Sequence, residues 1–115
     1  MSDQQEAMIQ AFGELQKTTD ILLTHLAAAD DEQSHEVISV MLMQGMEFFG
    51  SESPAMQQFF PVWDAIKAHI DNSDLQRALG QARTWETQLQ ELITVMQNGQ
   101  RLRFDWRVCS FVRYC

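Results

Sequence analysis

Apolar residues near the start of the chain recur every three or four positions, as they do on one face of an α-helix. The stripe runs through Met8, Phe12, Leu15, Thr19, Leu22 and Leu26. Its single polar member is Thr19. This spacing predicts a helix over about residues 3–29 that buries one side in a helical bundle.

The next segment, about residues 31–49, loses this one-sided pattern and is apolar on nearly every side from Val37 onward. Asp30, with Gln33 three positions later, predicts an N-cap and a capping box at its start. A helix that is apolar all round either lies centrally in a core or presents part of its surface to a partner. Full burial of one helix is difficult in a domain this small, so both interpretations stay open.

Methionines are frequent in this second segment. Met41, Met43 and Met46 carry soft side chains that adapt to irregular contacts, which is typical both of core filling and of a partner groove. Gly45 lies among them. It either lets another element approach closely or simply weakens the helix.

Ser53 followed by Pro54 predicts the start of a third helix, because serine caps the first turn and proline needs no hydrogen bond there. Pro61 lies inside the same helical pattern, where a proline removes a backbone hydrogen bond and costs about 3 kcal/mol. We therefore expect a kink or two short helices that meet near Phe60, with Phe59 or Phe60 exposed.

A second predicted capping box, Ser73 with Gln76, opens a fourth helix. Helical spacing then continues through Leu75, Leu79, Ala82, Trp85, Leu89, Leu92 and Met96. Asn98 and Gly99 predict the end of this helix, since glycine tolerates the left-handed conformation found at helix C-termini.

The tail, residues 101–115, follows a different pattern, because its apolar residues alternate as on one face of a β-strand. These residues are Leu102, Phe104, Trp106, Val108, Val112 and Tyr114. No second strand is predicted, so the backbone N–H and C=O groups of the tail need a partner. Three interpretations stay open: the tail folds back over the helices, it pairs with the sheet edge of a partner or a second copy, or it is foreign or disordered sequence.

The formal charge of −8 divides unevenly between these parts. Residues 1–100 carry −11, and the tail carries +3 from four arginines and Asp105. An acidic body argues against direct binding to nucleic acid, where affinity comes mainly from Lys and Arg. It is compatible with a basic protein partner and with solubility alone. Docking of the tail onto the chain's own acidic helices explains its arginines equally well.

Length and composition indicate one domain. No apolar run approaches the roughly 18 residues that span a bilayer, and the first residues lack the basic and apolar parts of a secretory signal. We expect a soluble cytoplasmic protein without membrane contact. Cys109 and Cys115 would lie about 20 Å apart in an extended strand, so we expect reduced thiols and no disulfide.

The residue types that carry chemistry do not form a recognisable catalytic, nucleotide-binding or metal-binding motif. Glu32 and His35 make one Glu-x-x-His pair, whereas di-iron bundles need two such pairs and further carboxylates. His25 and His69 lie near predicted helix ends, where the helix dipole favours a partly protonated imidazole. We therefore expect no enzymatic activity, no cofactor and no metal ion.

Together these patterns predict an all-α fold: a four-helix antiparallel bundle or two stacked helical hairpins in residues 1–100, followed by the extended, strand-like tail. The leading functional hypothesis is a small, acidic, non-enzymatic protein-interaction module, such as an adaptor, an escort chaperone or an inhibitor. Its predicted partner-binding residues combine an apolar helix surface with the tail. They are Met41, Met43, Met46, Phe48, Phe49, Phe104, Trp106, Arg107 and Tyr114.

Two other functional classes remain open. An acidic nucleic-acid mimic that inhibits a basic nucleic-acid-binding enzyme would need carboxylates arrayed along one surface. Here Asp30, Asp31, Glu32 and Glu36 cluster, but the other carboxylates are diluted by glutamine. A metal-binding helical protein is the third hypothesis. A homo-oligomer also stays open, because a second subunit would cover the apolar second helix.

Overall fold

A computed structural model of the chain describes residues 3–50 and 52–97, with side chains described from residue 6 onward. This part of the chain contains four α-helices and no strand. They are α1 (Asp3–Ala27), α2 (Asp31–Phe49), α3 (Pro54–Asp71) and α4 (Leu75–Gln97). None of them is both long and apolar enough to cross a membrane. The predicted all-helical body is confirmed for these residues, whereas the predicted tail and the domain boundary at residue 100 lie outside them.

α1 ends in a Schellman motif, in which the second residue after the helix adopts the left-handed conformation. That residue is Ala29, with φ of 57°. Its N–H donates to the Leu26 carbonyl, and the N–H of Asp30 donates to the His25 carbonyl. Asp30 then caps α2, because its carboxylate accepts a hydrogen bond from the Gln33 N–H at 3.2 Å. The predicted cap of the second helix is confirmed.

The connection from α3 to α4 repeats this turn. Ser73 has φ of 59°, and the N–H of Asp74 donates to the His69 carbonyl. Asp74 caps α4, since its carboxylate accepts from the Arg77 N–H at 3.4 Å. The predicted cap at Ser73 is therefore wrong by one residue, because the backbone of Ser73 already serves to end α3.

α3 begins as predicted at Ser53, whose hydroxyl accepts a hydrogen bond from the first turn. The helix continues through Pro61, so the predicted alternative of two short helices is wrong. Pro61 has no N–H, so the carbonyl of Gln57 lacks its helical hydrogen bond. Both residues lie on the exposed side of α3, where water satisfies a free carbonyl. Phe60 is exposed, and Phe59 is buried in the core.

The helices pack in chain order, and α1 also packs against α4. α1 and α2 are antiparallel, because Phe12 in the first half of α1 contacts Phe49 at the end of α2, with ring centroids 5.7 Å apart. α2 and α3 are antiparallel as well: His35 Nε2 in the second turn of α2 lies 3.1 Å from Asp71 Oδ1 at the end of α3. The helices thus form a closed bundle around one core.

Aromatic rings fill the centre of this core. Trp63 and Trp85 are fully buried and nearly perpendicular, with ring centroids 5.3 Å apart. Phe59 contacts both indoles, at 5.6 and 5.2 Å. Gly45 of α2 lies against Trp63, and a Cβ at this position would overlap the indole ring. Of the two roles predicted for Gly45, close approach of another element is confirmed.

Candidate protein-binding surface

α2 carries a row of large apolar side chains on its outward side. Val40 and Met46 each expose 47% of their surface, and Met43 exposes 70%. The buried residues of α2 occupy the opposite side of the helix, and they are Ser34, Ile38, Met41 and Gly45. The segment whose sequence is apolar all round therefore divides into a core side and a solvent side.

Phe60 of α3 lies beside this row, as the register of the two helices shows. Met46 follows His35 by about three helical turns, and Phe60 precedes Asp71 by the same interval. Because His35 contacts Asp71 and the helices are antiparallel, Met46 and Phe60 reach the same level on the same side of the bundle. Phe60 exposes 41% of its surface. We define the Met–Phe surface as Val40, Met43, Met46 and Phe60.

Carboxylates surround the Met–Phe surface. Glu32, Glu36 and Glu47 are exposed on the outward side of α2, and Asp64 follows Phe60 by about one turn of α3. Within the described part of the chain, none of these four carboxylates forms a salt bridge. The rim of the surface therefore presents negative charge that the neighbouring helices do not compensate.

Lys67 lies on the same side of α3 but is already paired. Its Nζ donates to Asp71 Oδ2 at 2.9 Å. This hydrogen bond, with the charges of Lys67 and His35, holds the pKa of Asp71 below its ordinary value. Because Asp71 stays ionised and engages Lys67, this lysine does not offset the carboxylates of the rim.

A groove between α1 and α2 lies on the other side of α2. It has a volume of about 640 Å³ and is lined by Phe48 together with Ala7, Gln10, Ala11, Gly13, Glu14 and Lys17. A neighbouring depression of about 320 Å³ shares Ala7, Ala11 and Phe48 and extends to Pro54. The small side chains of α1 leave the Phe48 ring 37% exposed. Phe48 thus faces this groove and is separate from the Met–Phe surface.

The predicted partner-binding residues fall into different environments. Met43 and Met46 lie on the Met–Phe surface, and Phe48 lines the groove. Met41 is fully buried in the core, so it presents no surface to a partner. Phe49 is half-buried among other aromatic rings. The remaining four lie outside the described residues: Phe104, Trp106, Arg107 and Tyr114.

Val40 and Phe60 are not among the partner-binding residues predicted from the sequence. Val40 precedes Met43 by three positions, and this helical spacing is the signal that places both on one side. The sequence predicts exposure of Phe59 or Phe60 without choosing between them, and the position of Phe60 beside α2 depends on the register of α2 against α3. Contacts such as His35 with Asp71 fix that register, and no local sequence pattern contains it.

The histidines take structural positions. His35 contacts Asp71 across the helix pair, although its spacing from Glu32 is that of a metal-binding half-motif. His25 and His69 lie in the last turns of α1 and α3, as predicted. The described residues include no group of three or more His, Cys, Asp or Glu side chains that could hold a metal ion.

Comparisons of the chain with protein-family models, with curated proteins and with solved structures give no match.

Proposed function

We propose that this chain is a small protein-interaction module that binds a protein partner through the Met–Phe surface. The observation that carries the proposal is the outward exposure of three apolar side chains of α2 next to Phe60 of α3. Contiguous exposed apolar surface is unfavourable in water and is typical of sites where proteins associate. Its burial against a partner contributes roughly 25 cal/mol for each Å².

The helix beneath the surface is held in place, which supports a preformed binding site. Met41 and Gly45 point inward from α2, and Gly45 packs against the Trp63 ring. Rotation of α2 to bury its outward residues would expose these inward ones. Methionine side chains on a fixed helix still adapt to the shape of a partner. Such a surface suits an adaptor, an escort chaperone or an inhibitor, whose functions need contact area and no reacting group.

The test is affinity capture from extracts of the native host, with the whole 115-residue chain as bait. We compare the wild-type chain with the double variant Met43→Ser, Met46→Ser. Loss of two central apolar contacts is expected to weaken partner retention about tenfold or more, the effect of about 1.4 kcal/mol. The matched control is Ile21→Ser, which removes an apolar side chain of similar exposure from α1.

Urea unfolding and circular dichroism of each variant separate lost binding from lost folding. The proposal requires that both variants stay folded and that only the methionine variant loses the captured protein. Equal retention by the methionine variant and the wild-type chain would overturn it, as would an equal loss for Ile21→Ser.

A further inference from the structure

We propose that the partner segment that occupies the Met–Phe surface is a basic amphipathic helix. This proposal rests on the proposed function and adds the chemistry of the partner. The shape of the surface, the charge of its rim and the helical backbone that carries it all favour this occupant.

The shape of the surface matches a helix laid obliquely across the outward side of α2, from Val40 on the side near α1 to Met46 and Phe60 on the side near α3. From Glu36 to Glu47, α2 rises about 17 Å, or three turns. The apolar residues Val40, Met43 and Met46 lie within that length, with Phe60 alongside. A helix with apolar residues spaced three and four apart would contact all of them from one face.

The carboxylates of the rim favour a positively charged occupant. Glu36 and Glu47 stand at the two ends of the apolar row, and Asp64 stands beside it on α3. Lys and Arg side chains on a partner helix can lay their aliphatic stems over apolar surface while their charged ends reach these carboxylates. Phosphate groups of nucleic acid would be repelled by the same rim.

The backbone of the surface favours a helical partner over an extended one. α2 and α3 use their N–H and C=O groups in their own helical hydrogen bonds, so they offer no edge to which a strand could add. Recognition must come from side chains. A helix satisfies its own backbone groups and therefore loses nothing when it docks on such a surface.

The experiment titrates the whole 115-residue chain into two labelled peptides and follows fluorescence anisotropy. Both peptides form amphipathic helices of about five turns with the same leucine face, and the polar face carries lysine in one and glutamate in the other. We expect binding of the lysine peptide only. Met43→Ser should weaken it about tenfold. The double variant Glu36→Gln, Glu47→Gln should weaken it several-fold and reduce the loss of affinity with added salt.

The control is the double variant Glu6→Gln, Glu91→Gln, which makes the same charge change at exposed positions of α1 and α4. The proposal is overturned if this control weakens binding of the lysine peptide as much as the Glu36→Gln, Glu47→Gln variant does, or if Met43→Ser leaves binding unchanged. Either result would show that the peptide is attracted to the acidic protein in general. If the host partner is captured through Met43 and Met46 while the rim variant retains it fully, the proposed function stands and the basic helix is wrong.

Two other occupants would also overturn the proposal. If Trp106→Ser in the full chain raises affinity for the lysine peptide, the chain's own basic tail occupies the surface. If sedimentation shows a dimer that Met43→Ser dissociates, the occupant is a second copy.

Discussion

The indole N–H of Trp85 on α4 donates to the hydroxyl of Thr19 on α1 at 3.0 Å, and both side chains are fully buried. The Thr19 hydroxyl in turn donates to the Leu15 carbonyl at 2.7 Å. The hydroxyl thus uses its hydrogen for the backbone and a lone pair for the indole. This pair satisfies a polar group at the centre of an aromatic core, where an unpaired N–H would be costly.

Thr19→Val should destabilise the protein by about 1–3 kcal/mol in urea unfolding. Valine has nearly the same shape, so the loss comes from the unpaired Trp85 N–H and not from a cavity. Thr19→Ser keeps the hydroxyl and should retain the hydrogen bond. Trp85→Phe gives the decisive control: in that background Thr19→Val should cost clearly less. An equal cost in both backgrounds would show that the hydrogen bond contributes nothing.

Thr19 also shows what the sequence can and cannot predict. Helical spacing places it in the apolar stripe of α1, and the structure confirms that it faces the core. The reason for a hydroxyl there is Trp85, a residue far away in the chain. Periodicity reports which side of a helix is buried, but it does not report which side chains meet inside.

Gly45→Ala should destabilise the protein by up to about 2 kcal/mol. Alanine favours a helix by about 1 kcal/mol over glycine. Its methyl group, however, would overlap the Trp63 ring and the Met56 sulfur, and overpacking of this kind costs about 1–3 kcal/mol. Urea unfolding measures the balance.

Gly80 of α4 is the matched control for Gly45. A Cβ at Gly80 would meet nothing within 4 Å. Gly80→Ala should therefore stabilise the protein by about 1 kcal/mol through helix propensity alone. If the two substitutions shift stability in the same direction, the close contact of Gly45 with Trp63 is not a constraint on α2.

Ala29→Gly should stabilise the protein by about 0.5–1 kcal/mol. Ala29 has φ of 57°, a conformation that costs an L-residue about 1–2 kcal/mol and glycine almost nothing. The greater freedom of glycine in the unfolded chain offsets part of the gain. Thermal unfolding measures the difference. Ala27→Gly, at the last helical residue of α1, should instead destabilise, and a gain there would contradict this account.

The two Schellman turns reveal a relation that the sequence hides. The same number of residues separates Ala29 from Ser73, His25 from His69 and Asp30 from Asp74. At this separation along the chain, most buried positions of α1 and α2 have a buried counterpart in α3 or α4. The residues differ at most of these positions, so no sequence repeat is evident. The chain thus folds as two similar helical hairpins that share one core.

The outward side of α2 could be predicted only in part. An apolar residue at nearly every position removes the periodic contrast that identifies a buried side. The core side is decided by Trp63, whose ring fits only where α2 has Gly45. The exposure of Met43 and the burial of Met41 follow from that tertiary contact.

Glu86 on α4 and Asp20 on α1 form a carboxyl pair between neighbouring helices. Burial raises the pKa of Glu86, and its hydrogen bond to Asp20 and the negative charge of Asp20 raise it further, while Arg83 opposes the shift. A protonated Glu86 donates to the Asp20 carboxylate. The pair therefore favours the folded state most when Glu86 holds its proton.

Glu86→Gln should stabilise the protein near pH 7 and make little difference near pH 4. Because folding raises the pKa of Glu86, the protonated group stabilises the folded state at pH values below the ordinary pKa of glutamate. That stabilisation is lost as the pH rises through the pKa of Glu86 in the folded protein. Glutamine cannot ionise, and its amide still donates to Asp20, so the variant avoids this loss. Urea unfolding at both pH values measures the change, with Glu91→Gln, an exposed carboxylate on the same helix, as the control. A stability difference between Glu86→Gln and the wild-type chain that is independent of pH would show that Glu86 does not titrate with folding.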